Sequence, residues 1–325
     1  MRPFKHYNAR SVEEALSLLK RYEGRACLIA GGTDLLGVLK GEILPDYPKA
    51  LVNIKTILGL NEMGEDEEGL KLGALVRLVE IARSPMIKGR YGALVKSAES
   101  VATPEIRNMG TVGGNLCQDN RCWYYRYPHH MGGRILCYRK GEGPCHAIKG
   151  DNRYHAVIGG KGCFAVCPSD MAVALAALDG RVRIAQPDGG KKDLSILEFY
   201  TARGHVLRSD EILTEIRVPR PPDNARQTFL KFRLRESVDF AVASVASLIS
   251  VEDGVCKDAR IVLGAVAPTP YRAMAAEAVL KGRHLEQRVA EEAAEAALSD
   301  AKPLAKNAYK VEVTKTLVKR AILSS

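Results

Sequence analysis

Apolar positions near the start of the chain recur with a helical period. Ser11 and Glu14 have the spacing of a capping box, and Ala15, Leu18, Leu19 and Tyr22 follow on one face. The unbroken apolar run Ala26 to Ala30 predicts a short buried strand, and Gly31-Gly32-Thr33-Asp34 then turns the chain into the helical start Leu35 to Leu39. A further strand is predicted over Ala50 to Ile54. From about residue 55 a second unit begins. Its predicted elements are a strand at Leu70 to Ala74, helices at Leu75 to Ala82 and Tyr91 to Ala102, a helix at Met171 to Leu178, and strands at Val182 to Ala185 and Glu211 to Val218. Between them, residues 117–168 carry no clear period and read as an irregular insertion.

Pro219-Arg220-Pro221-Pro222-Asp223 reads as a linker, because proline breaks both helix and ladder. Three strands are predicted after it, at Thr228 to Arg235, Phe240 to Val251 and Ala259 to Ala267. A turn at Glu252-Asp253-Gly254-Val255 joins the last two, and an Ala/Glu-rich stretch (272–323) supplies helices for one face. The fold class expected is α+β. The expected division is 1–54, 55–222 with the insertion at 117–168, and 223–325. At roughly 150 residues per domain, 325 residues accommodate two or three such units.

Composition narrows the class. A hydrophobic fraction of 46% with 26% charged residues suits a soluble protein that buries a sizeable core. No apolar run approaches the roughly 18 residues of a membrane span, and the start MRPFKHYNAR lacks a secretory signal's apolar stretch. The expectation is a cytoplasmic protein without membrane contact. The net charge of +10 admits nucleic acid as a partner, but the basic residues are scattered and no nucleic-acid fold signature accompanies them. A solvated surface, or one that docks acidic proteins, accounts for them.

The cysteines change the picture more. Six of the eight fall between Cys117 and Cys167. In a reducing compartment such a cluster points to metal or redox chemistry rather than to disulfides. Two glycine pairs also stand out. Ala30-Gly31-Gly32-Thr33-Asp34 lies between a buried strand and a helix start, where free N–H groups can receive a pyrophosphate. Thr111-Val112-Gly113-Gly114-Asn115 is the second pair, and two such loops in separate units can grip one extended ligand. Alone, each is explained better by a plain turn than by ligand contact. There is no GxGxxG fingerprint and no P-loop, so a dinucleotide would be held in another way.

The order of motifs is specific. AGGTDLL (30–36), TPEIRNMGTVGGNL (103–116), Cys167-Pro168-Ser169-Asp170 and Asp210-Glu211-Ile212-Leu213 together resemble the FAD-binding subunit of the molybdenum hydroxylases, the family of xanthine dehydrogenase and the carbon monoxide dehydrogenase flavoproteins. The resemblance covers essentially the whole chain. It implies a two-subdomain FAD-binding domain of the PCMH/VAO type, followed by a CO-dehydrogenase-flavoprotein-like domain of antiparallel sheet and helices. It assigns the flavin's pyrophosphate to Ala30, Gly31, Gly32, Thr33, Asp34 and Leu35. The diphosphate and adenosine side falls to Thr111, Gly114 and Asn115. It also carries over Asp170, then Leu213 or Ile212, and then Arg233 or Lys231.

The usual family pattern runs almost directly from GGNL to the Ser-Asp segment, whereas here some fifty residues intervene. By spacing alone, the cysteines suit a 4Fe-4S cluster or zinc about equally, with inert buried thiols as the remaining reading. The insertion resembles that of the 4-hydroxybenzoyl-CoA reductase β subunit, through Asn115-Leu116-Cys117, Arg121-Cys122, Tyr124-Tyr125 and Cys163-Phe164-Ala165-Val166. That likeness implies a 4Fe-4S cluster on Cys122, Cys137, Cys145 and Cys163, with Cys167 as the substitute for Cys163. Cys117 and Cys167 are otherwise packing residues near the flavin loops. Cys27 and Cys256 read as simply buried.

Residues 117–170 hold eight Lys/Arg against four Asp/Glu, which suits docking of an acidic carrier such as ferredoxin through Arg139, Lys140 and Lys149. No Ser-His-Asp set, HExxH or other catalytic constellation is present, so substrate chemistry is expected on another chain. The resemblance implies partners: a molybdopterin-binding large subunit and a 2Fe-2S small subunit, assembled as a dimer of heterotrimers. Its implied role is feeding electrons to reductive dehydroxylation of 4-hydroxybenzoyl-CoA. The alternatives are the FAD subunit of an oxidising xanthine- or aldehyde-type hydroxylase, and a zinc-stabilised module without flavin.

Overall fold

The computed structural model describes residues 1–324. The N-terminal lobe comprises β1 (Lys5–Asn8), α1 (Val12–Arg21), β2 (Ala26–Ile29), α2 (Leu35–Gly41) and β3 (Ala50–Asn53). The strands form a parallel sheet in the order β1-β3-β2. β3 lies in the centre, and all four of its residues are buried, as expected for a parallel strand covered on both faces. Ser11 caps α1 by accepting the Glu14 N–H at 3.1 Å, while the Glu14 carboxylate reaches past it to the Arg10 N–H at 2.8 Å.

The second lobe runs through β4 (Met63–Asp66), β5 (Gly69–Gly73), α3 (Leu78–Arg83), α4 (Pro85–Arg90), α5 (Gly92–Ser100), α6 (Pro104–Met109) and α7 (Val112–Leu116). After the insertion come α8 (Asp170–Ala177), β6 (Arg181–Ala185), β7 (Lys191–Ser195), α9 (Ile196–Phe199), the small hairpin β8 (Tyr200–Thr201) and β9 (Gly204–His205), and β10 (Ile212–Pro219). Its antiparallel sheet has the order β4-β5-β10-β6-β7. Every residue of α8 is buried, because α5 packs on one side of it and the C-terminal sheet on the other.

The C-terminal domain is an antiparallel sheet of β11 (Ala225–Phe232), β12 (Ala243–Glu252), β13 (Val255–Gly264) and β14 (Tyr271–Arg272). Helices α10 (Met274–Leu280), α11 (Gln287–Ala297) and α12 (Tyr309–Leu323) complete it. The expected hairpin joins β12 to β13 with Asp253 and Gly254 both at positive φ, 51° and 76°.

Two local expectations differ. The glycine-rich stretch 103–116 is not open loop: Thr103 and Thr111 each cap a short helix through their hydroxyls, and Pro104 sits in the first turn of α6. The helix expected from Leu75 begins only at Leu78, because Val76 and Arg77 are drawn into backbone pairing with the second glycine loop.

The insertion contains only two single turns of 3-10 helix, His129–Met131 and Tyr138–Lys140. It is nevertheless tied down. Asn307 donates to the carbonyls of His155 and Ala156 at 3.1 and 3.2 Å, and the Lys306 N–H donates to Asn152 Oδ1 at 2.9 Å. Lys310 Nζ donates to the carbonyls of Tyr154, His155 and Ala265 at 3.2, 3.0 and 2.5 Å. The segment leading into α12 and the helix's own first turn therefore act as a clasp. No helix among the described residues is long and apolar enough to cross a membrane.

Candidate functional site: a two-chamber crevice and a gathered set of thiols

The two glycine loops meet back to back. A Cβ placed on Gly31 would lie 2.0 Å from the Met109 carbonyl oxygen, so only glycine lets the first loop rest on the backbone that leads into the second. Among the described residues, the main-chain N–H groups of Gly31, Gly32, Thr33 and Asp34 donate to no acceptor within the chain. The second loop is different. Its N–H groups at Val112, Gly113 and Asn115 are bound to the carbonyls of Val76, Ala74 and Thr111, and that of Gly114 to Thr111 Oγ1 at 3.1 Å. One loop therefore offers open donors, and the other is a braced wall.

Two chambers adjoin at these loops. One, of about 360 Å³, has an apolar wall that includes Leu28, Ile29, Val38, Leu75 and Leu213. The other, of about 290 Å³, is lined by Ile106, Asp170, Lys231 and Phe240 together with Arg121 and Arg126. They share Thr33, Asp34, Thr111, Gly114 and Gln118, which form the junction of one continuous crevice. Ala30, Gly31, Gly32 and Leu35 line the first chamber, and Asn115 lines the second. Of the pair Ile212 and Leu213, Leu213 faces the chamber while Ile212 is buried in the N-terminal core.

Asp170 pairs with Lys231 at 2.7 Å, with both side chains almost fully buried. Burial raises the Asp170 pKa, and the Lys231 charge opposes that rise. Arg233 lies outside this pair and donates to the Ser100 carbonyl at 3.0 Å. Ser169 donates to Asn115 Oδ1 at 2.6 Å, locking the second loop to the start of α8. Cys27, expected to be merely buried, lines the first chamber, and burial pushes its thiol up to about 11. Cys117 lines the same chamber.

Sequence reading missed the crevice residues Gln118, Arg121, Arg126 and His205. Arg121 was legible only through the Arg121-Cys122 match and, with Arg126, as part of the insertion's positive charge. They turn inward onto one carboxylate: Asp34 Oδ1 receives Arg126 Nη2 at 2.6 Å and Arg121 Nη1 at 2.9 Å, while its Oδ2 accepts the Asp119 N–H at 2.8 Å. Arg139, expected on a docking face, is also turned inward. Its side chain is only 11% exposed and pairs with Asp119 at 3.2 Å, because Asp119 and the Tyr125 ring form the pocket that receives it.

Cys122, Cys137, Cys145 and Cys163 gather around the insertion's interior. Cys122 lies close enough to Cys145 and Cys163 for their charges to raise its pKa, and burial, the larger cause, brings it to about 11. Cys163 is raised by burial too, with added contributions from Cys145 and Cys137, while Arg139 pulls the other way. Cys122 and Cys137 rest against Val38 and Ile43 at the end of the N-terminal lobe. His155 Nε2 is 3.3 Å from Cys122 Sγ, and its Nδ1 is buried without a partner. Cys167 stands apart, sharing the buried Tyr200 ring with Cys117, and burial pushes each of the two thiols up to about 12. Among the described residues, no three His, Cys, Asp or Glu side chains converge tightly enough for a single metal ion.

A crevice between two α/β lobes, closed by an antiparallel sheet with helices, is the architecture of a flavin-binding subunit. Residues 2–221 match the family described as the FAD binding domain in molybdopterin dehydrogenase, and residues 228–325 match the CO dehydrogenase flavoprotein C-terminal domain. The chain belongs to this family of FAD-binding subunits of molybdenum hydroxylases. It is 33% identical, over 97% of its length and 96% of the relative's, to the aldehyde oxidoreductase FAD-binding subunit PaoB of Escherichia coli. It is 26% identical, over 88% of its length and 82% of the relative's, to the nicotinate dehydrogenase FAD-subunit of Eubacterium barkeri. Among solved structures, carbon monoxide dehydrogenase from Hydrogenophaga pseudoflava superposes with a TM-score of 0.79 at 25% identity, covering 99% of this chain and 98% of that one.

Proposed function

We propose that this chain is the electron-transferring subunit of a molybdenum hydroxylase complex and holds both FAD and a 4Fe-4S cluster. FAD, when bound, supplies exchange of one or two electrons. The open N–H groups of Gly31 to Asp34 suit its diphosphate, and the apolar chamber walls suit its rings. The chain's own part is to fix the cofactor's position and to keep water from its apolar face.

The observation that carries the cluster is that Cys122 lies within electrostatic reach of Cys145 and Cys163, and Cys163 within reach of Cys145 and Cys137, while none of these four acts on Cys167. A single zinc holds each sulfur at about 2.3 Å and would draw the thiolates to within about 4 Å of each other. A 4Fe-4S cluster takes four Cys thiolates, the number these residues supply. Anaerobic purification followed by flavin, iron and acid-labile sulfide analysis tests the reading. About four irons and four sulfides per FAD are expected, and a flavoprotein without iron would refute the cluster.

The substrate belongs to a partner chain. Relatives named for aldehyde, nicotinate, xanthine and carbon monoxide share this subunit's fold, so the fold does not set the reaction. Oxidation of aldehydes is the reading favoured by the 33% identity to PaoB over nearly the whole chain. Reductive dehydroxylation of 4-hydroxybenzoyl-CoA, with ferredoxin as donor, is the second reading and is favoured by the insertion's cysteine pattern. A molybdopterin large subunit and a 2Fe-2S small subunit, in a dimer of heterotrimers, complete either proposal. Co-purification identifies the partners. Turnover of aldehydes with an artificial acceptor, set against turnover of 4-hydroxybenzoyl-CoA with a low-potential donor, separates the two reactions.

A further inference from the structure

We infer that Arg121 and Arg126, both supplied by the cysteine insertion, form the cationic half of the dinucleotide's diphosphate site at the junction of the two chambers. The inference rests on the reading of the crevice as an FAD site and adds a second task to the insertion. Both guanidinium groups belong to residues that line the chamber with Thr33, Thr111 and Gly114. The first glycine loop brings neutral N–H donors to that point, and the arginines bring charge.

The charge balance favours an anion there. Two other carboxylates border the chamber, and each is already matched. Asp170 is held by Lys231 at 2.7 Å, and Asp239 is held by Arg235. Asp34 faces two arginines, and Asp119, which also attracts Arg121, is matched by Arg139, so one positive charge remains uncompensated at the junction. Both guanidiniums are held in place from behind. Arg126 Nε donates to the Asn120 carbonyl at 2.6 Å, and Arg121 Nη2 donates to Gln118 Oε1 at 3.0 Å. The Arg121 guanidinium also lies over the Phe240 ring at 4.6 Å. Such preorganised, partly desolvated guanidinium groups suit phosphate oxygens. Burial and the Arg126 charge push the Arg121 pKa down to about 10, which is the strain that a bound dianion would relieve.

The chemistry recognised is a diphosphate linking two nucleoside-like halves. The test uses the full chain stripped of flavin, titrated with FAD, with ADP and with riboflavin. Arg121→Gln and Arg126→Gln should each weaken FAD and ADP about tenfold or more, the loss of a charge-assisted contact. Riboflavin affinity should stay unchanged, and Arg126→Lys should recover part of the loss. The FAD affinity of the unsubstituted chain should also fall with salt more steeply than that of either variant. Trp123, the chain's single tryptophan, lies in the insertion, so its fluorescence together with iron content reports whether a variant's insertion is intact. Equal FAD and ADP affinities in variants with an intact insertion would overturn the inference. A parent chain that binds neither FAD nor ADP would instead overturn the FAD reading beneath it.

Discussion

Asp170 and Lys231 form a buried ion pair of 2.7 Å between the first residue of α8 and the strand β11, tying the second lobe to the C-terminal domain at the edge of the crevice. Lys231 Nζ also donates to the Ser100 carbonyl at 3.0 Å. Removing one member of such a pair leaves the other charge buried without compensation, a loss of about 3 kcal/mol or more. Lys231→Met is therefore expected to lower the unfolding midpoint markedly and to weaken FAD binding. Arg233→Met loses one bond to a carbonyl and should cost about 1 kcal/mol. Urea unfolding and FAD titration of the two variants side by side decide which basic residue serves the crevice.

The apposition of the glycine loops gives a second expectation. A methyl group on Gly31 points into the Met109 carbonyl, a backbone atom that no rotamer change can move. Gly31→Ala should separate the loops, expel flavin during purification and lower stability. Gly37→Ala is the matched control, since nothing lies within 4 Å of the added carbon. Flavin content per chain, read from absorbance after gel filtration, checks both. Equal flavin retention in the two variants would refute the back-to-back contact.

The cysteines separate into two groups with different expected losses. Cys163→Ser should abolish most of the bound iron while leaving flavin in place. Cys167→Ser should retain iron, because Cys167 packs beside Tyr200 and Cys117 and not among the quartet. Iron and sulfide content, with the low-temperature resonance spectrum of the reduced protein, distinguishes the variants. Loss of iron in Cys167→Ser with retention in Cys163→Ser would reverse the assignment.

Much of this was legible in the sequence, and the part that was not has a physical reason. The capped helix after Ser11 and the turn at Asp253-Gly254 are local, and their signals lie in neighbouring residues. The glycine loops were found because close backbone approach demands glycine at Gly31, whatever the partner. The inward turn of Arg121, Arg126 and Arg139 was not legible. Each guanidinium points toward a carboxylate, Asp34 or Asp119, and reaching it depends on how an irregular fifty-residue segment folds back. No period announces such a path. The grouping of Cys163 rather than Cys167 with Cys145 depends on the same path. Lys310 is the extreme case: nothing in the Ala/Glu-rich stretch that holds it marks it out, yet it is fully buried.

Lys310 supplies a pH-dependent expectation. Burial pushes its pKa down to about 7, whereas an unfolded chain leaves it in the ordinary lysine range. Between those two values the unfolded state binds more protons than the native state, so stability rises as pH rises through that interval. Equivalently, the stability associated with this group is complete at high pH and is lost as pH falls toward 7. Three carbonyl oxygens, of Tyr154, His155 and Ala265, accept from its Nζ and oppose loss of the proton. Lys310→Met should remove the slope and also leave those carbonyls without their donor, at a cost of about 2 kcal/mol. The difference in urea midpoint between the parent chain and Lys310→Met, followed from pH 7 to 9.5, should therefore grow in favour of the parent. Two carbonyls belong to the insertion, so the variant's insertion should open first, visible as a red shift of Trp123 fluorescence ahead of the main transition. A midpoint difference that is constant across the range would show that Lys310 keeps the same charge in the folded and unfolded states.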